Sequence, residues 1–223
     1  MKAYFLRHGQ AEHDVDGMLR VDEVFGDGLT ADGMKQVEEA SRILSGLGIA
    51  RIFSSDALRS KQSTEIVNKE IGLSGGNISF DKDLREMGVG RFAKEGKSLV
   101  EWKQICNQDR QDEYGAETYK QMHQRACRVL NRYKELTSNI KDNNANILFS
   151  GHGHFNSMIR YCVCEGLKQP FDKEKFEKIY DVQATNASIM MIDLDLKKEH
   201  RRAEFIHGGS RNLKQSDGKE IKR

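Results

Sequence analysis

Three short segments of this 223-residue chain end in groups suited to phosphoryl chemistry. An apolar run at residues 2–6 (KAYFL) stops at Arg7 and His8. A second run, at 50–55 (ARIFSS), supplies Ser54 and Ser55, with Arg59 one helical turn later. A third, NILFSG at 146–151, leads into His152 and His154. Arginine offers a planar fork of donors that matches phosphate oxygens, and a neutral imidazole is a nucleophile. Two arginines and two histidines brought to one spot would bind a phosphoryl group and could accept it covalently. A single arginine or histidine at a loop is ordinarily a surface residue, so the weight lies in the recurrence at three strand ends.

Such convergence needs strands that run side by side in the same direction. The short apolar runs at 2–6, 50–55, 77–80 (NISF) and 146–151 read as buried strands. Met34, Val37, Ala40, Ile43, Leu44 and Leu47 repeat at helical spacing, with Thr30 as N-cap and Gly48 as stop. Further helices are expected from about 57 to 71, ending at Gly72, and from about 154 to 165. SIMMIDL and AEFIHG close the ordered chain as two more strands. This alternation predicts an α/β three-layer sandwich, with a mostly parallel central sheet and helices on both faces. Ligands in such sheets bind beyond the carboxyl ends of the strands. No strand pattern appears between residues 84 and 144, where Met122, Ala126, Val129, Tyr133, Leu136 and Ile140 form a helical stripe. Residues 83–145 are therefore expected to be a helical lid inserted into one domain spanning 1–208, followed by a disordered polar tail at 209–223.

Composition excludes other classes. Lys and Arg total 36 against 34 Asp and Glu, a formal charge of +2. That is too balanced for a nucleic-acid binder working through a basic field. No apolar stretch approaches the ~20 residues that span a bilayer, so a soluble protein is expected, without membrane partners. Four cysteines in a chain this long, with no leader ahead of them, suggest reduced thiols and a cytoplasmic setting. Cys162-x-Cys164 reads as helix packing rather than a metal clip, and His152-x-His154 reads as phosphate-binding rather than metal-binding. His13, His123, His200 and His207 read as surface or packing histidines.

The arrangement extends to a family resemblance. RHGQ, directly after the first strand, resembles the RHG signature of the histidine phosphatase superfamily, the group that includes phosphoglycerate mutase. LTADGMKQ, IFSSDALRSKQST, LREMGVG, YGAETYKQMHQR and FSGHGHF are similar to its later segments, in the same order, over residues 4 to about 160. The resemblance implies that His8 attacks phosphorus to form a phosphohistidine. It implies that Arg7, Arg59, His152 and Gly153 hold the phosphoryl oxygens, and that Glu86 donates the leaving-group proton and then activates water. Acting as an acid would require Glu86 to stay protonated near neutrality, helped by the phosphate dianion. No metal or other cofactor is implied, since the arginines supply the positive charge.

One position departs from the family. Asp14 stands where a neutral asparagine is common, and an ionised carboxylate there would repel phosphate. Asp14, Gln10, Arg85 and Arg91 are the candidates for substrate selection, with Lys94 and Lys97 as further cations near Glu86. The Glu-Arg-His-Tyr-Gly stretch of cofactor-dependent mutases is missing, and HGHF is more similar to the phosphatase members. The reading is thus a metal-independent phosphomonoesterase acting on a small phosphorylated substrate, with a phosphoprotein as another possible substrate. The alternatives are a mutase-type phosphotransferase and a non-catalytic phosphate-binding scaffold. Oligomeric state is not legible.

Overall fold

The computed structural model describes residues 2–19, 27–95, 98–138, 145–180, 182–193 and 203–211. Six strands form one mixed sheet: β1 (Lys2–Arg7), β2 (Ile49–Ser54), β3 (Ile78–Phe80), β4 (Asn146–Gly151), β5 (Val182–Asp193) and β6 (Ala203–Arg211). Their spatial order is β3-β2-β4-β1-β5-β6. The pairs β3–β2, β2–β4 and β4–β1 are parallel, while β5 and β6 add two antiparallel pairings at one side. The helices are α1 (Glu12–Asp16), α2 (Ala31–Ser45), α3 (Leu58–Ile71), α4 (Leu99–Asn107), α5 (Tyr119–Ser138), α6 (Gly153–Glu165) and α7 (Lys173–Tyr180).

The unbroken apolar runs are explained by burial on both faces of the sheet. Tyr4, Leu6, Ile52 and Leu148 face one core with Val37 and Leu44 of α2 and Val67 of α3. Ala3, Phe5, Phe53, Ile147 and Phe149 face the other, with α5 and α6. There Phe5, Phe149 and Phe53 stack in series across β1, β4 and β2, with ring centroids 4.6 Å and 5.6 Å apart. Tyr133 of α5 packs on both Phe53 and Phe149. The second half of the expected lid therefore packs on the sheet as a layer of the sandwich, while Met87, Val89, Leu99 and Trp102 from its first half stand over the strand ends.

Some boundaries differ from those expected. Helix α2 is capped by the Thr30 side chain, which accepts from the Gly33 N–H, but it ends at Gly46, two residues before Gly48. Gly48, at φ 61°, takes the left-handed turn into β2 instead. Strand β6 runs through Arg211, so 209–211 belong to the sheet and not to a tail. Residues 212–223, Lys97, Ile140 and His200 lie outside the described residues.

Candidate active site

Strand register brings the reactive groups together. Arg7 pairs with Gly151 and Ser54 with Ser150 across β1, β4 and β2, so these three strands leave the sheet at one level. The His8 N–H donates to the Gly151 carbonyl (3.0 Å) and the Ser55 N–H to the Ser150 carbonyl (2.8 Å), which extends the ladder one residue into each loop. The glycine after His8 is a matter of space. A Cβ on Gly9 would lie 2.2 Å from the Gly33 carbonyl oxygen, and one on Gly33 would lie 2.0 Å from that of Gln10. Loop and helix entry pack backbone to backbone, and only glycine at both positions permits it.

His8 is buried and fixed. Its Nδ1 lies 2.7 Å from the Gly9 carbonyl, which can only accept, so the proton sits on Nδ1. Nε2 is left as a lone pair, and the Arg59 Nε–H donates to it at 3.2 Å. Burial, then the charges of Arg59, His152, Arg7 and His13, hold its pKa well below 6.5. The result is a neutral, oriented nitrogen nucleophile.

Carboxylates hold both arginines. Arg59 Nη1 donates to Asp27 Oδ2 at 3.1 Å, and the same oxygen lies 2.5 Å from His13 Nδ1. Burial works to raise the Asp27 pKa, but His13 and Arg59 outweigh it and hold it below the ordinary carboxylate value. Arg7 Nη2 donates to Asp14 Oδ1 at 2.9 Å, while Asp14 Oδ2 accepts from the Ala11 N–H and from Asn186 Nδ2, each at 2.9 Å. Asp14 thus faces the cavity with Arg7 as its donor. Asn186 arrives from β5, where a register shift beside β6 and a positive φ of 55° at Ala187 turn the strand toward the site.

His152 is wholly buried, with its ring 5.2 Å from that of His8. Its Nε2 lies 2.9 Å from Ser55 Oγ and 3.3 Å from Ser60 Oγ. Ser55 Oγ also accepts from the Ala57 N–H. The His152 Nδ1 has no partner among the described residues, which leaves it available to a ligand. Burial, followed by the charge of Arg59, keeps His152 neutral with a pKa well below 6.5.

Glu86 sits at the N-terminus of α6. Its carboxylate caps the first turn of α6, accepting from the Phe155 N–H (3.0 Å) and the His154 N–H (3.0 Å), and from its neighbour Met87 N–H (2.9 Å). Burial works to raise its pKa, yet His154, these backbone donors and Arg59 together leave it lowered. A carboxylate with three donors at a helix N-terminus is ionised near neutrality rather than protonated. Its segment is clasped by Arg125 of α5, whose guanidinium donates to the carbonyls of Asp83 (2.7 Å), Arg85 (2.9 Å) and Glu86 (3.3 Å). Arg125 is held in turn by Glu117 at 2.6 and 2.8 Å.

These groups floor a cavity of about 200 Å³ whose upper walls are Leu19, Met87, Val89, Leu99, Trp102 and Tyr180, with Lys103 and His154. Arg7, His8, Asp14, Arg59, Glu86 and Gly153 line it, and His152 stands behind His8. Three candidates for substrate selection are elsewhere. Gln10 is tied to α2, its N–H donating to Gln36 and its side-chain carbonyl accepting from Thr30. Arg85 forks onto Asp56 at 2.5 and 2.6 Å, and Arg91 donates to the Glu113 carbonyl. His13, expected to be a surface or packing histidine, instead lines the cavity against Asp27, and Asp27, Asn186 and Arg125 were not singled out in the sequence. His13 alone left a signal, since it adjoins Asp14.

The sequence pattern of the Histidine phosphatase superfamily (branch 1) matches residues 3–203. A Salmonella arizonae protein named "Probable phosphoglycerate mutase GpmB" is 32% identical over 94 residues, which is 42% of this chain and 41% of that protein. The chain thus matches less than half the length of that relative. The alpha-ribazole phosphatase of Shigella flexneri superposes with a TM-score of 0.70 at 19% identity, covering 99% of this chain and 100% of the other. A mycobacterial glucosyl-3-phosphoglycerate phosphatase superposes at 0.66 and 16% identity, covering 92% and 96%. At these identities the likeness establishes the fold.

Proposed function

Because the chain belongs to the histidine phosphatase superfamily, branch 1, we propose that it hydrolyses small phosphate monoesters through a phosphohistidine on His8. The observation that carries this reading is the His8 ring, with its proton fixed on Nδ1 by Gly9 and its Nε2 directed at Arg59. In the first step Nε2 bonds to phosphorus as the ester P–O bond breaks. Arg59, Arg7 and His152 stabilise the charge on the three equatorial oxygens. Binding of the phosphoryl dianion raises the Glu86 pKa, so the carboxyl takes up a proton and delivers it to the departing oxygen. In the second step Glu86, again a carboxylate, accepts a proton from the water that attacks phosphorus, and His8 is released. The ionised resting state of Glu86 suits this second step directly.

The size of the cavity, about 200 Å³, supports a small ester over a phosphoprotein segment. The presence of every catalytic group argues against a decayed scaffold. The mutase reading draws on the sequence match to a protein bearing that name, and one experiment separates the two. Inorganic phosphate release is measured with chelator present, from an aryl phosphate, sugar mono- and bisphosphates and 3-phosphoglycerate, with His8→Ala in parallel. Release that depends on His8 supports the phosphatase. Interconversion of phosphoglycerates without net release would replace it with the mutase.

A further inference from the structure

Away from the phosphoryl pocket, three soft donors meet where α5 faces α6. His123 and Cys127 are four residues apart and so share one face of α5, and Cys162 comes from α6. Cys127 Sγ lies 3.6 Å from His123 Nε2 and 3.7 Å from Cys162 Sγ. All three donor atoms fall within 4.8 Å of one another. We propose that this triplet binds a thiophilic d10 cation, zinc(II), which fastens α5 to α6.

The spacing fits the ion. A tetrahedral zinc with bonds of about 2.3 Å to sulfur and about 2.05 Å to nitrogen has sulfur–sulfur edges of about 3.8 Å and sulfur–nitrogen edges of about 3.6 Å. The two separations at Cys127 match these edges closely, and the third, between His123 and Cys162, lies within 4.8 Å. The Leu167 carbonyl oxygen is 3.6 Å from Cys127 Sγ, the separation of a further oxygen vertex. Charge selects the metal. Two thiolates and a neutral imidazole around zinc(II) sum to zero, so burying the complex carries little Born penalty, whereas copper(I) would leave a net negative charge. Magnesium and calcium require oxygen ligands.

The surroundings are apolar. Cys162 and His123 are buried, and the rings of Tyr161 and Phe171 each lie 5.6 Å from that of His123. Binding breaks two S–H bonds and forms two Zn–S bonds, releasing two protons to solvent with no redox change. The site is structural, but it lies between elements that serve the phosphoryl pocket. Helix α5 carries Arg125, which clasps the Glu86 segment, and α6 presents the N–H groups that Glu86 caps.

The test uses the full chain, reduced and stripped of metal, titrated with Co2+ as a spectroscopic probe and with Zn2+ in parallel. One Co2+ per chain, with a thiolate-to-cobalt charge-transfer band, is expected, and zinc should displace it and raise the melting temperature of the wild type. Cys127→Ser and Cys162→Ser should each lose the band, and Cys164→Ser, at an exposed cysteine, should keep it. Because either of these variants could fold poorly, the wild-type titration stands by itself. No charge-transfer band in the folded wild type would overturn the proposal, as would a band that survives both substitutions. A Cys127–Cys162 disulfide that re-forms in place of metal uptake would also overturn it.

Discussion

Glu86→Gln should cost stability as well as turnover. The carboxylate accepts three backbone N–H groups, two on Oε1 and one on Oε2. The amide keeps an acceptor for Met87 and Phe155 but turns an NH2 toward the His154 N–H. One charge-assisted bond is lost, worth roughly 1.5–3 kcal/mol, and the other two weaken from charged to neutral strength. The sum is about 3 kcal/mol, or a fall in Tm of roughly 6–12 °C for a chain of this size. Acidification gives a second handle. The folded pKa of Glu86 is lowered, so its stabilisation is fully present above the unfolded value of about 4.3 and is lost as pH falls through the folded value. Thermal melts of both proteins at neutral and acid pH test this, and the gap should close in acid. A Tm for the variant equal to wild type at neutral pH would refute the capping role. The activity loss should be larger for alkyl than for aryl phosphates, because a good leaving group needs no proton.

Asp14→Asn should tighten competitive inhibition by inorganic phosphate about tenfold, ~1.4 kcal/mol, since a charge facing the dianion is removed while an acceptor for Arg7 remains. Unchanged inhibition would mean that Asp14 does not oppose phosphate. Asp27→Asn frees Arg59 from its anchor and should lower kcat/KM by about 10²-fold. Steady-state kinetics near wild type would place Arg59 under other control. His8 and His152 are buried and neutral, with pKa values depressed well below 6.5. The unfolded chain therefore binds two more protons in acid, and stability should fall below pH ~6.5 with a slope approaching 2.7 kcal/mol per pH unit. Denaturant titrations across this range should lose about half of that slope in His8→Ala.

The sheet and its reactive edge were legible because β1, β2 and β4 are buried on both faces. Their apolar runs are unbroken and end where Arg7, Ser54 and Gly151 leave the ladder. The motif residues were legible by resemblance, and the structure supplies reasons for two of them. Gln36 accepts from the Gln10 N–H and Gln62 from the Leu29 N–H, so each ties a loop to its helix. Asp27 and Asn186 were hidden because each acts across a long sequence separation, by bonds to Arg59 and Asp14 that no local pattern encodes. Arg125 was hidden by its place on the α5 stripe helix, where its three carbonyl contacts lie about 40 residues away. The ionised resting state of Glu86 was hidden for the same reason. Two of its three donors belong to α6, and only the fold brings that N-terminus to it.

The proposed mechanism turns on transfer of the phosphoryl group to His8 Nε2. Rapid quenching of the enzyme with a 32P-labelled phosphate ester, followed by counting of protein-bound label, tests it most directly. An acid-labile, alkali-stable adduct is expected on the wild type and should disappear in His8→Ala. A labelled adduct that persists in His8→Ala, or an acid-stable one in the wild type, would contradict it.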